Sequence, residues 1–471
     1  MQRADIDTAK GGNTTTWDLG VDTTLVRILA RNAELLGDRV AMREKDLGIW
    51  QEITWLQMLD ATLACAAGME SVSFGAGDAL LVMGDNRPRL YMGMLAAGML
   101  GGHAMPVYPE ATPEEIQHVM LEAHVRFVLA EDQEQVDKVL DLSEQGTVIE
   151  HVVYDDSRGL AGYPDPRLVS WDKLQEIGAA RLRAEPGLRK ALIERAQPDG
   201  PAVFVHSSGT TGKPKGVVLS HRNLLSGVRN AHRGGAFTFG ETIVAYLPMA
   251  WVGDFAITVG AGVALRFTIN IPERQETVLH DLREVAPTMY LAAPRSWDNM
   301  LTTIQVRMED STPLKKWFYD VFMNSALTAE RHKLEGKQPS LKERLMRPLG
   351  ELLVFGPIKD QLGLTRLRNA FTGGEAIGED TFVFYRALGV KLRQFYGQTE
   401  SSAFNALQDI EEVRLHTVGR PLPGVEVKIG DNGEIMVRSG SVFSGYYKLE
   451  KATLEALEDG WLRTEIGRAH V

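Results

Sequence analysis

The run His206-Ser-Ser-Gly-Thr-Thr-Gly-Lys-Pro-Lys-Gly216 constrains the fold most, because no apolar side chain occurs in it and three glycines and a proline break it up. Such a stretch cannot continue a helix or a buried strand, so the chain must turn there. Ala202-Val-Phe-Val205 precedes it, and Val217-Val-Leu219 and then Asn223-Leu-Leu225 follow it. The predicted unit is two strands joined by a loop and leading into a helix. Within the loop, Gly209 and Gly212 let backbone N–H groups face inward, while the hydroxyls of Ser207, Ser208, Thr210 and Thr211 and the cations Lys213 and Lys215 suit phosphate oxygens. It is not a Walker loop, which needs glycine where Ser207 stands and a hydroxyl where Pro214 stands.

Along the rest of the chain, apolar runs alternate with amphipathic stretches, the pattern of doubly wound α/β sheets. Strands are predicted over 79–83, 127–130, 243–247, 289–292 and 392–395, and helices over 112–123 and 276–285. The glycine-interrupted region 91–108 is short for a membrane span and reads as a buried helix and turn. Near the end, Val425-Glu-Val-Lys-Ile429, the turn Asp431-Asn-Gly433 and Glu434-Ile-Met-Val-Arg438 alternate strictly and predict a hairpin in a small β subdomain, about 403–464.

At 471 residues the chain exceeds one compact core, and its net charge of −11 argues against nucleic acid as a partner. The lone Cys65, in Leu63-Ala-Cys-Ala-Ala67, reads as a small core residue of a reducing, cytoplasmic setting. Residues 304–350 are helical in pattern and locally basic, nine Lys/Arg against six Asp/Glu, with Trp317, Phe318, Tyr319 and Phe322 interspersed. Two readings stand: a solvated insertion with an aromatic core face, or a peripheral membrane contact.

The 206–216 run resembles the phosphate loop of the adenylate-forming (AMP-binding) superfamily, which includes acyl-CoA synthetases, peptide-synthetase adenylation domains and firefly luciferases. Tyr396-Gly-Gln-Thr-Glu400 is similar to that superfamily's second motif, and Phe371-Thr-Gly-Gly-Glu-Ala-Ile377 to its adenine loop. Ala245-Tyr-Leu-Pro-Met-Ala-Trp-Val-Gly-Asp254 resembles an element of bacterial long-chain fatty acid–CoA ligases, as do 106–108, 112–115, 419–425 and Gly445-Tyr-Tyr-Lys448. The fold this implies is the α/β N-terminal lobe of such an enzyme, residues 24–464, after a loose leader, 1–23.

The resemblance implies an acid–thiol ligase with ATP, Mg²⁺ and coenzyme A: a fatty acid becomes acyl-AMP with release of pyrophosphate, then acyl-CoA. Thr210, Thr211 and Lys215 would grip the leaving pyrophosphate, helped by Ser207, Ser208, Gly209, Gly212 and Lys213. Thr399 would hold the α-phosphate and Glu400 the magnesium ion, for which a hard oxygen donor is suited. Gly373, Gly374, Glu375, Tyr396 and Gly397 would form the adenine pocket, although an exposed loop carboxylate is an equal reading of Glu375. Trp251 would gate or line the acyl tunnel, or else be an ordinary core tryptophan. Medium-chain or aryl acids, acyl-AMP ligation, and a nucleotide- or fatty-acid-binding lobe with little turnover are the alternatives.

Gly460-Trp-Leu-Arg-Thr464 leads relatives into Gly-Asp, whose aspartate binds the ribose, where this chain has Glu465 and Ile466. Residues 465–471 are therefore read as a non-native tail, and the chain as a copy lacking the family's C-terminal domain.

Overall fold

Uninterrupted apolar runs pair in parallel when both faces of a sheet are covered, and the computed structural model, which describes residues 20–144, 146–207 and 214–467, builds its large sheets mainly in this way. One sheet is wholly parallel, in the order His103–Val107, Ala79–Met83, Phe127–Ala130, His151–Tyr154, Leu168–Ser170. A second runs Met289–Ala292, Asn369–Thr372 and Leu392–Tyr396 in parallel, then turns antiparallel through Ala406–Leu407 and Arg420–Pro421. In a third, Thr242–Val244, Thr268–Ile271 and Val40–Asp46 are parallel and Ile49–Thr54 closes the edge antiparallel. A four-stranded antiparallel sheet, Val425–Ile429, Glu434–Ser439, Trp461–Gly467 and Leu457–Glu458, ends the described chain.

The predicted helix over 112–123 forms as Pro113–Ala123, where the Thr112 hydroxyl accepts from Glu115 N and the Glu115 carboxylate accepts from Thr112 N. Three expectations need correction. The strand expected over 243–247 stops at Val244, because Pro248 has no N–H and constrains Leu247. Residues 91–108 hold the buried helix Pro88–Met99, but the next element is the strand His103–Val107 rather than a turn. Pro106 is tolerated because that strand lies at a sheet edge. The helix expected over 276–285 begins with a 3₁₀ turn, Gln275–Thr277, and is α-helical over Val278–Val285.

The hairpin forms with Val425 opposite Ser439 and Ile429 opposite Ile435. Its alternation does not bury a face of the first strand, however, since that strand is the edge and both Val427 and Ile429 are exposed. Glu465, Ile466 and Gly467 belong to the strand Trp461–Gly467, with Gly467 opposite Glu434. Glu465 takes a left-handed φ of 58° there, and its N–H donates to Glu434 Oε1 at 2.8 Å.

Residues 304–350 are helical as expected, lying in Pro294–Glu309, Pro313–Leu334 and Leu341–Gly350. Their inner sides bury Trp297, Met300, Ile304, Phe322 and Met323, while Trp317 is exposed. Cys65 is buried in the helix Trp55–Ser71, and burial pushes its thiol well up, which suits packing rather than nucleophilic attack. Among the described residues, no helix is long and apolar enough to cross a membrane.

Candidate active site

The expected strand–loop–strand–helix unit is present: Pro201–Ser207 pairs antiparallel with Lys215–Ser220, and the helix His221–Arg233 follows. Ser220 caps that helix, its hydroxyl accepting from Asn223 N at 3.1 Å. Ser207 and Lys215 stand opposite each other at the mouth of the hairpin. Ser208, Gly209, Thr210, Thr211, Gly212 and Lys213, all expected to hold phosphate, lie outside the described residues.

The other motifs converge at the carboxyl ends of the second sheet's parallel strands, where open α/β sheets bind ligands. Asn369–Thr372 runs into Gly373 and Gly374, and Leu392–Tyr396 runs into Gly397. Glycine is demanded at two of these places. Gly374 has φ 93°, and a Cβ at Gly397 would run into the Ala403 carbonyl oxygen. Beside them the Thr372 hydroxyl is fully buried and has no hydrogen-bond partner among the described residues. Glu375 is exposed.

Tyr396 is partly buried, and burial pushes its phenol above the usual range. Thr399–Ser401 forms a 3₁₀ turn that leaves Thr399 partly exposed and Glu400 buried. The next two residues, Ser402 and Ala403, take left-handed φ values of 56° and 74°. Neither is glycine, so the backbone there is strained, and the Ser402 hydroxyl anchors it by donating to Ser441 O at 2.8 Å.

One contact joins the two motifs that sequence alone leaves apart. Tyr446 donates its hydroxyl to Glu400 Oε1 at 2.9 Å, and Lys215 Nζ lies 4.9 Å from the centre of the same ring. Burial, reinforced by the Glu400 carboxylate, pushes the Tyr446 phenol well up, so it remains a donor. Phe443 N also donates to the Glu400 carbonyl at 2.8 Å. Sequence reasoning passed over Tyr446 except as part of Gly445-Tyr-Tyr-Lys448. The doubled tyrosine was the only signal, because nothing in the spacing says which ring turns toward Glu400.

Trp251 ends the turn that starts at Pro248, its N–H donating to Pro248 O at 2.9 Å, and its indole covers Gly253. Next to it, Asp254 is buried and accepts from Tyr91 and Thr258. An open cleft of about 450 Å³ runs along Glu434, Arg463, Glu465 and Ile466. Ile466 itself packs partly buried against the main apolar core.

This architecture, with the hairpin 201–220 beside two glycine turns at the carboxyl ends of a parallel sheet, is that of adenylate-forming enzymes. The chain belongs to the AMP-binding enzyme family, whose model matches residues 29–447. It is similar to the long-chain-fatty-acid–CoA ligase FadD15 of Mycobacterium tuberculosis, 28% identical over 88% of this chain and 67% of that protein. The long-chain-fatty-acid–CoA ligase ACSBG2 of Xenopus laevis is 25% identical over 94% of this chain and 61% of that protein. The chain thus spans about two thirds, or slightly less, of these relatives. Among solved structures, the N-terminal domain of FACL13 from Mycobacterium tuberculosis superimposes with a TM-score of 0.66 at 18% identity, covering 94% of this chain and 95% of that one. O-succinylbenzoate coenzyme A synthetase of Bacillus subtilis in complex with AMP gives 0.63 at 19% identity, covering 93% and 75%.

Proposed function

We propose that this chain binds ATP and a long-chain fatty acid and joins them as acyl-adenylate, the precursor of acyl-CoA. The observation that carries this reading is the convergence of Lys215, Tyr446 and Glu400 beside the glycine turns. In the reaction a carboxylate oxygen bonds to the α-phosphorus of ATP while the bond to the β-phosphate oxygen breaks, and pyrophosphate leaves. Two anions must meet, so the site has to neutralise charge and align the reactants more than move protons. Lys215 supplies positive charge at the hairpin mouth, with the 208–213 loop proposed to complete the grip on the β- and γ-phosphates. Thr399 is assigned to the α-phosphate, Tyr396 to the purine face and Trp251 to the acyl channel.

Glu400 fits a magnesium site: it is a hard oxygen donor, and Tyr446 fixes one of its oxygens and so its orientation. Magnesium bound there would offset phosphate charge. The chemistry requires nothing of Cys65, since the thioester sulfur is that of coenzyme A.

The test is calorimetric titration with non-reactive acyl-sulfamoyl adenosines, which read nucleotide and acyl recognition together without turnover. Affinity should rise with chain length from eight to sixteen carbons. An octanoyl or benzoyl analogue that binds more tightly than the palmitoyl one overturns the substrate class, and no binding of any analogue overturns adenylate recognition. In pyrophosphate exchange with palmitate, Glu400→Gln should lower the rate about 10²-fold, the scale of one preorganised electrostatic group.

A further inference from the structure

We propose that the outer face of the helix Leu341–Gly350 and the π-helical turn Glu351–Phe355, together with the start of the helix Pro313–Leu334, docks on an anionic lipid bilayer. Leucines recur there at 341, 345, 349, 352 and 353, and all five are between 51% and 73% exposed. The inward side of the same segment is already provided for by Gly350, Val354 and Phe355, which are buried. The leucine stripe is therefore a second apolar face with nothing packed on it among the described residues.

Between 341 and 353 the exposed charge has one sign, while the adjoining groove carries Arg307 and Lys315 against a single acid, Asp360. The other exposed residues between 341 and 353 are Lys342, Arg344 and Pro348, and the two acids of the segment are turned to neighbours. Glu343 accepts from Ser340 N at 2.7 Å and meets His332, and Glu351 pairs with Lys359 at 2.7 Å. Lys342 and Arg344 have no ion-pair partner among the described residues, in a chain whose net charge is −11. The stripe runs into an open groove of about 550 Å³, where Leu353 lies with Leu314 and Phe318, and Trp317 stands exposed one turn beyond Leu314.

Leucines flanked by bases, with tryptophan at the rim, match the interface of water and anionic headgroups, where acyl chains take the leucines and lipid phosphates take the bases. A second copy of this chain fits less well, because a contact of this face with itself would bring the unpaired bases of both copies into one interface. The surface needs no turnover to act, so its test is independent of the proposed reaction.

The full chain is sedimented with sucrose-loaded vesicles of phosphatidylcholine and phosphatidylglycerol at 3:1, and with phosphatidylcholine alone. Wild type should partition onto the anionic vesicles about tenfold or more in preference to neutral ones, and Lys342→Glu with Arg344→Glu should erase that preference. Leu345→Glu with Leu349→Glu should lower binding about tenfold or more, with an unchanged melting temperature because both positions are exposed. The proposal is overturned if wild type stays in the supernatant with both lipids, or if the leucine variant binds like wild type. It is equally overturned if light scattering finds a lipid-free dimer that the leucine variant dissociates, which would give the face to a second copy.

Discussion

Asp281 and Asp254 are buried to the same degree, 0% and 1% exposed, yet their surroundings set them opposite tasks. Lys45 donates to Asp281 Oδ1 at 2.7 Å and to Glu284 at 2.7 Å, and Thr277 donates to Asp281 Oδ2 at 2.7 Å. Burial pushes the Asp281 carboxyl up, but these bonds and the Lys45 charge outweigh it and hold it below the usual range. Among the described residues Asp254 has only neutral donors around it: Tyr91 at 2.7 Å, Thr258 at 3.0 Å and the Asn86 amide at 3.5 Å. There burial prevails, and the carboxyl is pushed up to about 7. The first site pins the inner strand Val40–Asp46 of the third sheet to the helix Val278–Val285. The second holds the element assigned to the acyl channel, since Asn86 also donates to Leu247 O at 2.9 Å. A buried carboxylate with a cation is a fixed joint, whereas one without a cation responds to pH near neutrality.

The largest effect should come from removing the cation. Lys45→Met leaves Asp281 buried without its countercharge and should cost about 3–5 kcal/mol in urea unfolding. A loss under about 1 kcal/mol would mean that Thr277 and the backbone suffice, and the contrast would collapse.

The next effect is on pH dependence. Asp254 has a folded pKa of about 7 against 3.8 unfolded, so between these values the folded state binds the proton and the unfolded state does not. Its cost to stability is therefore fully present above about pH 7 and fades as pH falls toward 4. Asp281, held low, shows the reverse, with its contribution lost only as pH falls below 3.8 through its depressed folded value. Wild type should thus gain on Asp254→Asn by about 2–4 kcal/mol as pH drops from 7 to 4, read as the difference between their unfolding free energies. A pH-independent difference would place Asp254 with the ionised carboxylates.

The smallest effect is Tyr91→Phe, which removes one donor to Asp254 and one acceptor for Asn86 and should cost about 1–3 kcal/mol at pH 7. Because the lost donor favours the ionised form, the variant's titration should also move upward. An unchanged titration midpoint would show that Thr258 and Asn86 alone set it.

Much of the fold was legible because parallel strands buried on both faces read as plain apolar runs, such as Ala79–Met83. Pro106 misled, since a proline argues against a strand unless the strand lies at an edge, and edge position is a property of the whole sheet. The leucines at 341, 345, 349 and 352 illustrate the same limit. Their helical spacing is that of a core stripe, yet the segment turns inward at Gly350, Val354 and Phe355 and leaves them outside. At the site, Lys215 and Glu400 were legible from the residue types their chemistry needs, and Tyr446 was not, because its part depends on where one ring points.

The sequence by itself determined where the backbone must bend, since glycine at 374 and 397 and the run 206–216 leave few alternatives, and it determined which segments pair as buried strands. Both follow from local sterics and from the hydrophobic pattern, which act over a few residues. Only the tertiary structure decided that Lys215 and Glu400 share one tyrosine, that Asp281 has a cation and Asp254 none, and which face of the helix Leu341–Gly350 meets the solvent. Those outcomes turn on distances between segments remote in the chain, where a few ångströms separate a paired charge from a solitary one.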